Sequence, residues 1–227
     1  MAQLRCSDGR TIHVDEDRLV AEIERGEDVY GRDIVVFDPY VNPGHEISAA
    51  DARAALRIAH AGAINLQPSH LSRAIARTKT VAEALLRVEP DADLFTLDDR
   101  EFNSYLTGPI AQALQGVVAV KYLNLALGSK LLYLKRPRLF PILDRYPFAF
   151  YSYIYFDRPK ERNVGTGLKL LREFRADGRK NLDVLVMLGE KMTAAANRRL
   201  PQGTSVSLSP VRVLDRVIWR HIKKRTG

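Results

Sequence analysis

The chain has 227 residues, 46% of them hydrophobic, with one cysteine and a formal net charge of +8. It is long enough to bury a core, it contains no apolar run of the roughly 18 residues that a membrane span needs, and its first residues lack the apolar core of a signal peptide. One cysteine excludes an internal disulfide, so we expect a cytoplasmic protein that does not associate with membranes.

The first residues predict a hairpin followed by a helix. Residues 3–14 fit two short strands around a Ser-Asp-Gly turn, because Asp-Gly favours a tight turn. Asp15 is a typical N-cap for a helix that ends near Arg25. Residues 33–40 (DIVVFDPY) are predicted to be extended.

Most of the remaining chain has helical periodicity. We expect a mainly α, multi-helix protein in which residues 1–47 form an appendage of hairpin, helix and loop, and residues 48–227 form a helical domain with one core. Helices are predicted from Ser48 to about Ala61, from Ser69, at 101–105, 109–115, 117–134 with an interruption at Gly128, 168–175 and 180–200 with a break at Asp177-Gly178, and from a cap at Ser209.

Charge divides the chain into two parts. Residues 1–100 carry 12 Lys and Arg against 18 Asp and Glu, whereas residues 101–227 carry 23 against 9. This asymmetry favours a polyanionic partner on one side, most simply nucleic acid. It is also compatible with head-to-tail docking of copies of the chain into a homo-oligomer.

The segment 128–156 (GSKLLYLKRPRLFPILDRYPFAFYSYIYF) is the densest combination of cations, prolines and aromatic residues. Pro137 and Pro141 hold the backbone extended, and guanidinium groups two residues apart on an extended chain face the same way. Guanidinium groups suit phosphate oxygens. The following cations are therefore predicted to bind nucleic acid: Lys130, Lys135, Arg136, Arg138 and Arg145.

Asp144 follows the second proline and is the candidate catalytic residue. It could cap the next helix, or it could be a carboxylate in a cleft that stabilises a positively charged transition state or acts as a general base. In the aromatic run after it, Tyr151, Tyr153 and Tyr155 would share a face if the segment were extended. Such a surface either stacks on bases or packs in the core.

Two other acids have simpler interpretations. Asp38, before Pro39, fits a turn residue, or an acid that emerges at the end of a strand. Asp215 is spaced for an ion pair with Arg212. The five histidines are dispersed and no phosphate-binding glycine loop is present, so we predict neither a metal nor a cofactor.

Two motifs resemble those of an uncharacterised bacterial family, a domain of unknown function. They are KRPRLFPxxD, residues 135–144, and SPxRVLDxxIW, residues 209–219, and the resemblance covers about residues 100–222. The family carries no activity that could be transferred.

The order of an apolar helix, then Pro137, Pro141 and Asp144, also has a distant likeness to helix-hairpin-helix DNA glycosylases. This likeness implies a glycosylase-like helical core in which Asp144 helps to break the N-glycosidic bond of a flipped base. The segment 115–120 holds one glycine where those enzymes have a glycine-rich hairpin, and 123–126 holds no lysine nucleophile. The likeness therefore implies either a mechanism that uses Asp144 alone or a scaffold that has lost catalysis.

The sequence thus predicts a nucleic-acid-binding protein, most simply a DNA-binding one, with possible base-excision activity. Two alternatives stay open. One is a non-enzymatic protein-interaction module, and the other is an enzyme that acts on a small anionic nucleotide.

Overall fold

The computed structural model describes residues 1–26, 29–58, 67–121, 123–155 and 162–226. The described chain is mainly helical with a small antiparallel hairpin, which confirms the predicted fold class. None of the described helices is both long and apolar enough to cross a bilayer. The elements are β1 (Ala2–Arg5), β2 (Thr11–Val14), α1 (Glu16–Arg25), α2 (Val29–Val36), a 3-10 turn (Asp38–Tyr40), α3 (Ala49–Arg57), α4 (Pro68–Thr78), α5 (Thr80–Leu86), α6 (Asp99–Thr107), α7 (Pro109–Val118), α8 (Leu125–Lys135), α9 (Arg145–Tyr155), α10 (Val164–Lys180), α11 (Leu182–Asn197) and α12 (Pro210–Thr226).

The N-terminal hairpin is attached to the helices by hydrogen bonds between its backbone and an asparagine side chain. Leu4 of β1 lies opposite Ile12 of β2, and both are buried. Asn181, between α10 and α11, accepts a hydrogen bond from the Arg5 N–H at 2.8 Å and donates one to the Arg5 carbonyl at 2.9 Å. The buried side chains of the hairpin belong to the same continuous hydrophobic core as those of the helices. A domain boundary at residue 47 stays a prediction.

Local capping signals set several helix starts. Asp15 accepts a hydrogen bond from the Arg18 N–H, and Ser48 forms a reciprocal capping box with Asp51. The Ser209 hydroxyl accepts one from the N–H of the third residue of α12. These three predicted caps are confirmed. The predicted helix end near Ala61 lies outside the described residues.

Residues 33–40 are not extended, which corrects the prediction. The segment forms the end of α2 and the 3-10 turn that follows it. Ile34 and Phe37 are both fully buried, and the ring of Phe37 stacks on Tyr133 with 5.6 Å between centroids. A spacing of three residues puts both side chains on one helix face, so packing outweighs the strand preference of the β-branched run.

The predicted helix at 117–134 is instead two helices with a short connection. α7 ends at Val118, and α8 begins after Asn124, whose side chain accepts a hydrogen bond from the Leu127 N–H at 2.9 Å. Gly128 lies inside α8. A Cβ there would come within 2.5 Å of a methyl group of Val117, so glycine permits the close approach of α7 and α8.

Two further boundaries differ from the prediction. α10 continues through Asp177-Gly178 to Lys180, and Gly178 is required there because the ring of Phe95 occupies the space of a Cβ. The aromatic run forms α9, so its residues do not alternate as on a strand. Tyr146, Phe148, Phe150 and Tyr151 are buried, which confirms the packing interpretation for these four. The side chains of Tyr153 and Tyr155 lie outside the described ones.

Ion pairs join the acidic first third of the chain to the basic C-terminal helices. These contacts are Glu16–Lys191, Glu22–Arg220, Glu24–Arg198, Asp33–Arg216 and Asp38–Arg212. The charge asymmetry of the sequence is thus partly neutralised inside one chain. Docking of separate copies through these charges stays a prediction.

Candidate functional site

The segment 137–144 between α8 and α9 is non-helical, but it is not extended as predicted, because the N–H groups of Leu139 and Phe140 both donate to the Arg136 carbonyl at 3.0 Å and form a turn. Arg136 and Arg138 therefore do not face the same way, since Arg136 is buried and Arg138 is half exposed. The Ser209 hydroxyl donates a hydrogen bond to the Pro137 carbonyl at 2.8 Å. The Ser129 hydroxyl accepts one from the Leu143 N–H at 2.9 Å. Because both ends of the segment are bonded to helices, the position of the next residue, Asp144, is fixed.

Asp144 lies just before α9 and lines a recess. Its Oδ1 accepts a hydrogen bond from the Tyr146 N–H at 2.9 Å, so the predicted capping contact is present. The residue as a whole is only partly buried. The side chain lines a small recess, partly open to solvent and with room for about one water molecule, which we call the Asp144 recess. The recess is lined by Asp33, Ile58, Lys130, Ile142, Asp144, Asp215, Arg216 and Trp219.

The electrostatics of the recess perturb Asp144 and Lys130 in opposite directions. Burial raises the pKa of Asp144, although the Tyr146 N–H and the charges of Lys130 and Arg216 oppose the rise. Burial lowers the pKa of Lys130, and the charge of Asp144 opposes that fall. The Lys130 ammonium donates to the Ile58 carbonyl at 3.3 Å and is 8% exposed. Perturbed ionisable groups that share a recess are typical of functional sites.

A buried arginine connects the recess to the first third of the chain. Arg212, 1% exposed, donates from Nε and Nη2 to the two carboxylate oxygens of Asp38, both at 2.9 Å, and from Nη1 to Asp215 at 2.8 Å. The Tyr133 hydroxyl also donates to Asp38. We call Asp38, Arg212 and Asp215 the arginine clamp. The predicted Arg212–Asp215 ion pair is confirmed, whereas Asp38 is a buried partner of Arg212 rather than an acid at a strand end.

Aromatic rings and cations border the recess. Tyr146 contacts Trp219 with 4.5 Å between ring centroids. The guanidinium of Arg145 lies 4.7 Å from the Tyr146 ring centroid, and the ammonium of Lys223 lies 5.1 Å from that of Trp219. Both cations are exposed. Positive charge therefore stands at the surface beside the carboxylates.

Two of the predicted phosphate-binding cations are in the interior. Lys135 pairs with Asp51 at 2.6 Å, and both side chains are 2% exposed. Arg136 donates to the carbonyls of Gly44 at 2.7 Å and Leu85 at 2.8 Å and is 3% exposed. In this structure both side chains tie α3, α5 and the loop before α3 to α8, and neither reaches the surface.

The other three predicted cations are placed differently from one another. Arg138 is half exposed and pairs with the buried carboxylate of Asp93 at 2.9 Å. Arg145 is exposed beside the recess, and Lys130 is inside it. The structure therefore brings Asp144 together with Lys130 and Arg145, and not with Arg136.

Several residues of the recess were not foreseen as site residues. Asp215, Arg216 and Trp219 lie at spacings of one and four on α12, and Asp33 comes from α2. The helical spacing within the SPxRVLDxxIW motif was the available signal. Within the described ranges, no three His, Cys, Asp or Glu side chains are grouped as a metal site requires.

Fold and site define a mainly α protein in which two sequence motifs meet at a recess of ionisable side chains. The model of a family of unknown function, DUF6308, matches residues 63–222. The chain belongs to this family, which confirms the predicted membership of an uncharacterised family. Neither the curated proteins nor the solved structures provide a match.

Proposed function

We propose that the protein binds nucleic acid and hydrolyses the N-glycosidic bond of a base, with Asp144 as the catalytic carboxylate. The observation that carries this proposal is the position of Asp144. It is a carboxylate at the end of a rigid turn, oriented by the Tyr146 N–H, in a recess with two cations. A carboxylate held in this way stabilises the oxocarbenium-like charge that forms on the sugar as the base leaves.

The order of elements before Asp144 supports the proposal. The apolar helix α8, the segment with Pro137 and Pro141, and Asp144 follow one another. This is the order on which the likeness to helix-hairpin-helix glycosylases depends. The ammonium of Lys130 is a counter-ion for Asp144, because its charge opposes the rise that burial causes in the pKa of Asp144.

Cations at the mouth of the recess supply the contact to phosphate. Arg145 and Lys223 flank the Tyr146–Trp219 pair. Exposed cations over a buried aromatic pair suit the phosphates of a backbone that must be held while one nucleotide is presented to Asp144. Among the predicted cations, Arg145 is the binding residue that this site favours.

The test is base release from duplex oligonucleotides that each carry one deaminated, oxidised or alkylated base, including guanine methylated at N7. We expect the wild type to release at least one base and to leave an abasic site that breaks only in alkali. Asp144→Asn should lower single-turnover release about 10²–10⁴-fold with unchanged duplex binding. No release from any of these duplexes would overturn the proposal.

A matched control is Asp98→Asn. Asp98 also caps a helix with its carboxylate, accepting the Glu101 N–H at 2.7 Å. We expect full activity, which separates catalysis from helix capping. Equal losses in Asp98→Asn and Asp144→Asn would assign Asp144 to capping. Borohydride should trap no covalent adduct, since Lys130 acts as counter-ion and not as nucleophile.

A small anionic nucleotide is the second candidate substrate. The specific observation that favours it is the internal pairing of acidic and basic segments, which leaves less positive charge for a long polyanion. The same recess would then hydrolyse the N-glycosidic bond of a free nucleotide. Base release from nucleoside monophosphates but not from any duplex would select this candidate. A salt-sensitive oligomer that releases no base from either substrate would favour the interaction module.

A further inference from the structure

We propose that Asp215 is a second catalytic carboxylate of the Asp144 recess, the general base that takes a proton from the attacking water. This inference rests on the proposed hydrolysis of an N-glycosidic bond. It assigns separate roles to two acids, since Asp144 stabilises the positive sugar and Asp215 activates the nucleophile.

The position of Asp215 supports this role. It lines the same recess as Asp144, and it lies one turn of α12 before Trp219. Its Oδ2 accepts a hydrogen bond from Arg212 at 2.8 Å, so the carboxylate has a fixed orientation. A general base needs this combination of a fixed carboxylate and access to the space where the water would lie.

The arginine clamp has one more carboxylate than a structural ion pair needs. Asp38 already occupies Nε and Nη2 of Arg212 with both of its oxygens. Asp215 is 3% exposed, and burying a second carboxylate costs free energy that the charges of Arg212 and Arg216 only partly offset. A residue that costs stability and faces a recess is more readily explained by function than by folding.

The charges around Asp215 suit a base near neutral pH. Burial and the neighbouring Asp144 raise the pKa of Asp215 to about 6, against the lowering effects of Arg212 and Arg216. The other charged groups in the recess are Lys130 and Asp33. At pH 7 the carboxylate is mostly ionised and can accept a proton, and below pH 6 it is mostly protonated and cannot.

The step balances as follows for guanine methylated at N7, which is a cationic leaving group. The bond from the sugar C1′ to the base nitrogen breaks, and its electron pair neutralises the cationic base. A bond forms between C1′ and the water oxygen, and one water proton moves to Asp215. Neither a metal nor an external acid is needed.

The experiment measures single-turnover base release from a duplex methylated at guanine N7 between pH 5 and pH 8. For the full-length wild type we expect the rate to rise with a midpoint near pH 6. Asp215→Asn should be at least about 10²-fold slower and should lose this rise. Its melting temperature should not fall at pH 7, because asparagine resembles the protonated acid that burial favours.

Asp177→Asn is the matched control. Asp177 is a buried aspartate whose pKa is also raised by burial, but it lies away from the recess. Its carboxylate accepts hydrogen bonds from the Ser7 N–H and the Tyr151 hydroxyl. We expect its rate and pH profile to match the wild type. A second measurement, carboxyl NMR titration, should show the pKa of Asp215 falling in Asp144→Asn, because a neighbouring negative charge is removed.

The outcomes separate this inference from the proposed function. Loss of activity in Asp144→Asn with full activity and an unchanged pH profile in Asp215→Asn would overturn the role of Asp215 alone. No base release by the wild type from any of the test duplexes would overturn both. If Asp215→Asn does not fold, two other results contradict the inference. One is a wild-type rate profile without a rise near pH 6, and the other is a pKa of Asp215 that is the same in the wild type and in Asp144→Asn.

Discussion

Replacing Arg212 with leucine tests the physical account of the arginine clamp. The substitution removes two bonds of 2.9 Å to Asp38 and one of 2.8 Å to Asp215. It leaves two carboxylates, 4% and 3% exposed, without their guanidinium. Removing one partner of a buried ion pair costs about 3–5 kcal/mol. For a chain of this size each kcal/mol lowers the melting temperature by about 2–4 °C, so we expect a fall of about 6–20 °C.

The control for this prediction is Arg179→Leu. Arg179 also pairs with an aspartate, Asp99 at 2.7 Å, but the two side chains are 46% and 75% exposed. Solvent screens an exposed pair, so thermal and urea unfolding should barely change. If Arg212→Leu and Arg179→Leu lower the melting temperature equally, burial does not set the strength of the clamp and the reasoning is refuted.

The deficit of Arg212→Leu should also depend on pH. Burial raises the pKa of Asp215 to about 6, and loss of Arg212, which lowers it, raises that pKa further. A carboxyl group whose pKa is higher in the folded state than in the unfolded state stabilises the fold as pH falls through its folded pKa. The difference between variant and wild type should therefore be smaller at pH 5 than at pH 7. A deficit that grows on acidification would contradict this sign.

Three further predictions concern other parts of the molecule. Arg145→Ala should weaken duplex binding and make the slope of log affinity against log salt shallower by about one. Arg136→Ala should instead lower the melting temperature, because Arg136 is buried. Equal salt slopes for the wild type and Arg145→Ala would exclude a phosphate contact of Arg145. Cys6 should not react with a thiol reagent at pH 8 until the chain is unfolded, because burial and Asp177 raise the pKa of its thiol to about 12; rapid labelling of the folded chain would contradict this. Gly128→Ala should destabilise the fold by about 1–3 kcal/mol in urea unfolding, because the added Cβ meets Val117. Gly165→Ala should not, because a Cβ at Gly165 has no neighbour within 3.0 Å. Equal stability of the two variants would exclude a tight α7–α8 contact.

Local signals in the sequence were sufficient for much of the fold. The caps at Asp15, Ser48 and Ser209 are set by side chains that bond backbone groups within three residues, so they are visible without tertiary structure. The same holds for the non-helical segment between Pro137 and Pro141. The extended conformation predicted for residues 33–40 is wrong, because their helical conformation is determined by the packing of Phe37 on Tyr133. This is a contact between distant parts of the chain.

The candidate site was only partly predictable for the same reason. The prolines that precede Asp144 mark it as a candidate in the sequence, and in the structure it lines a recess. The burial of Lys135 and Arg136 depends on Asp51 and on carbonyl groups up to 92 residues away, which no local pattern reveals. The spacing of Asp215 from Arg212 predicts their ion pair. The proximity of Asp215 to Asp144 depends on the packing of α12 beside α9, which the local sequence does not show.

The most direct test of the central claim is single-turnover base release by Asp144→Asn, measured beside Asp98→Asn and with duplex affinity determined for each protein. A loss of about 10²–10⁴-fold in Asp144→Asn alone, at unchanged affinity, is the predicted result and would make the Asp144 recess the active site. Release at the wild-type rate by Asp144→Asn would contradict the account, because Asp144 would then be a helix cap and nothing more.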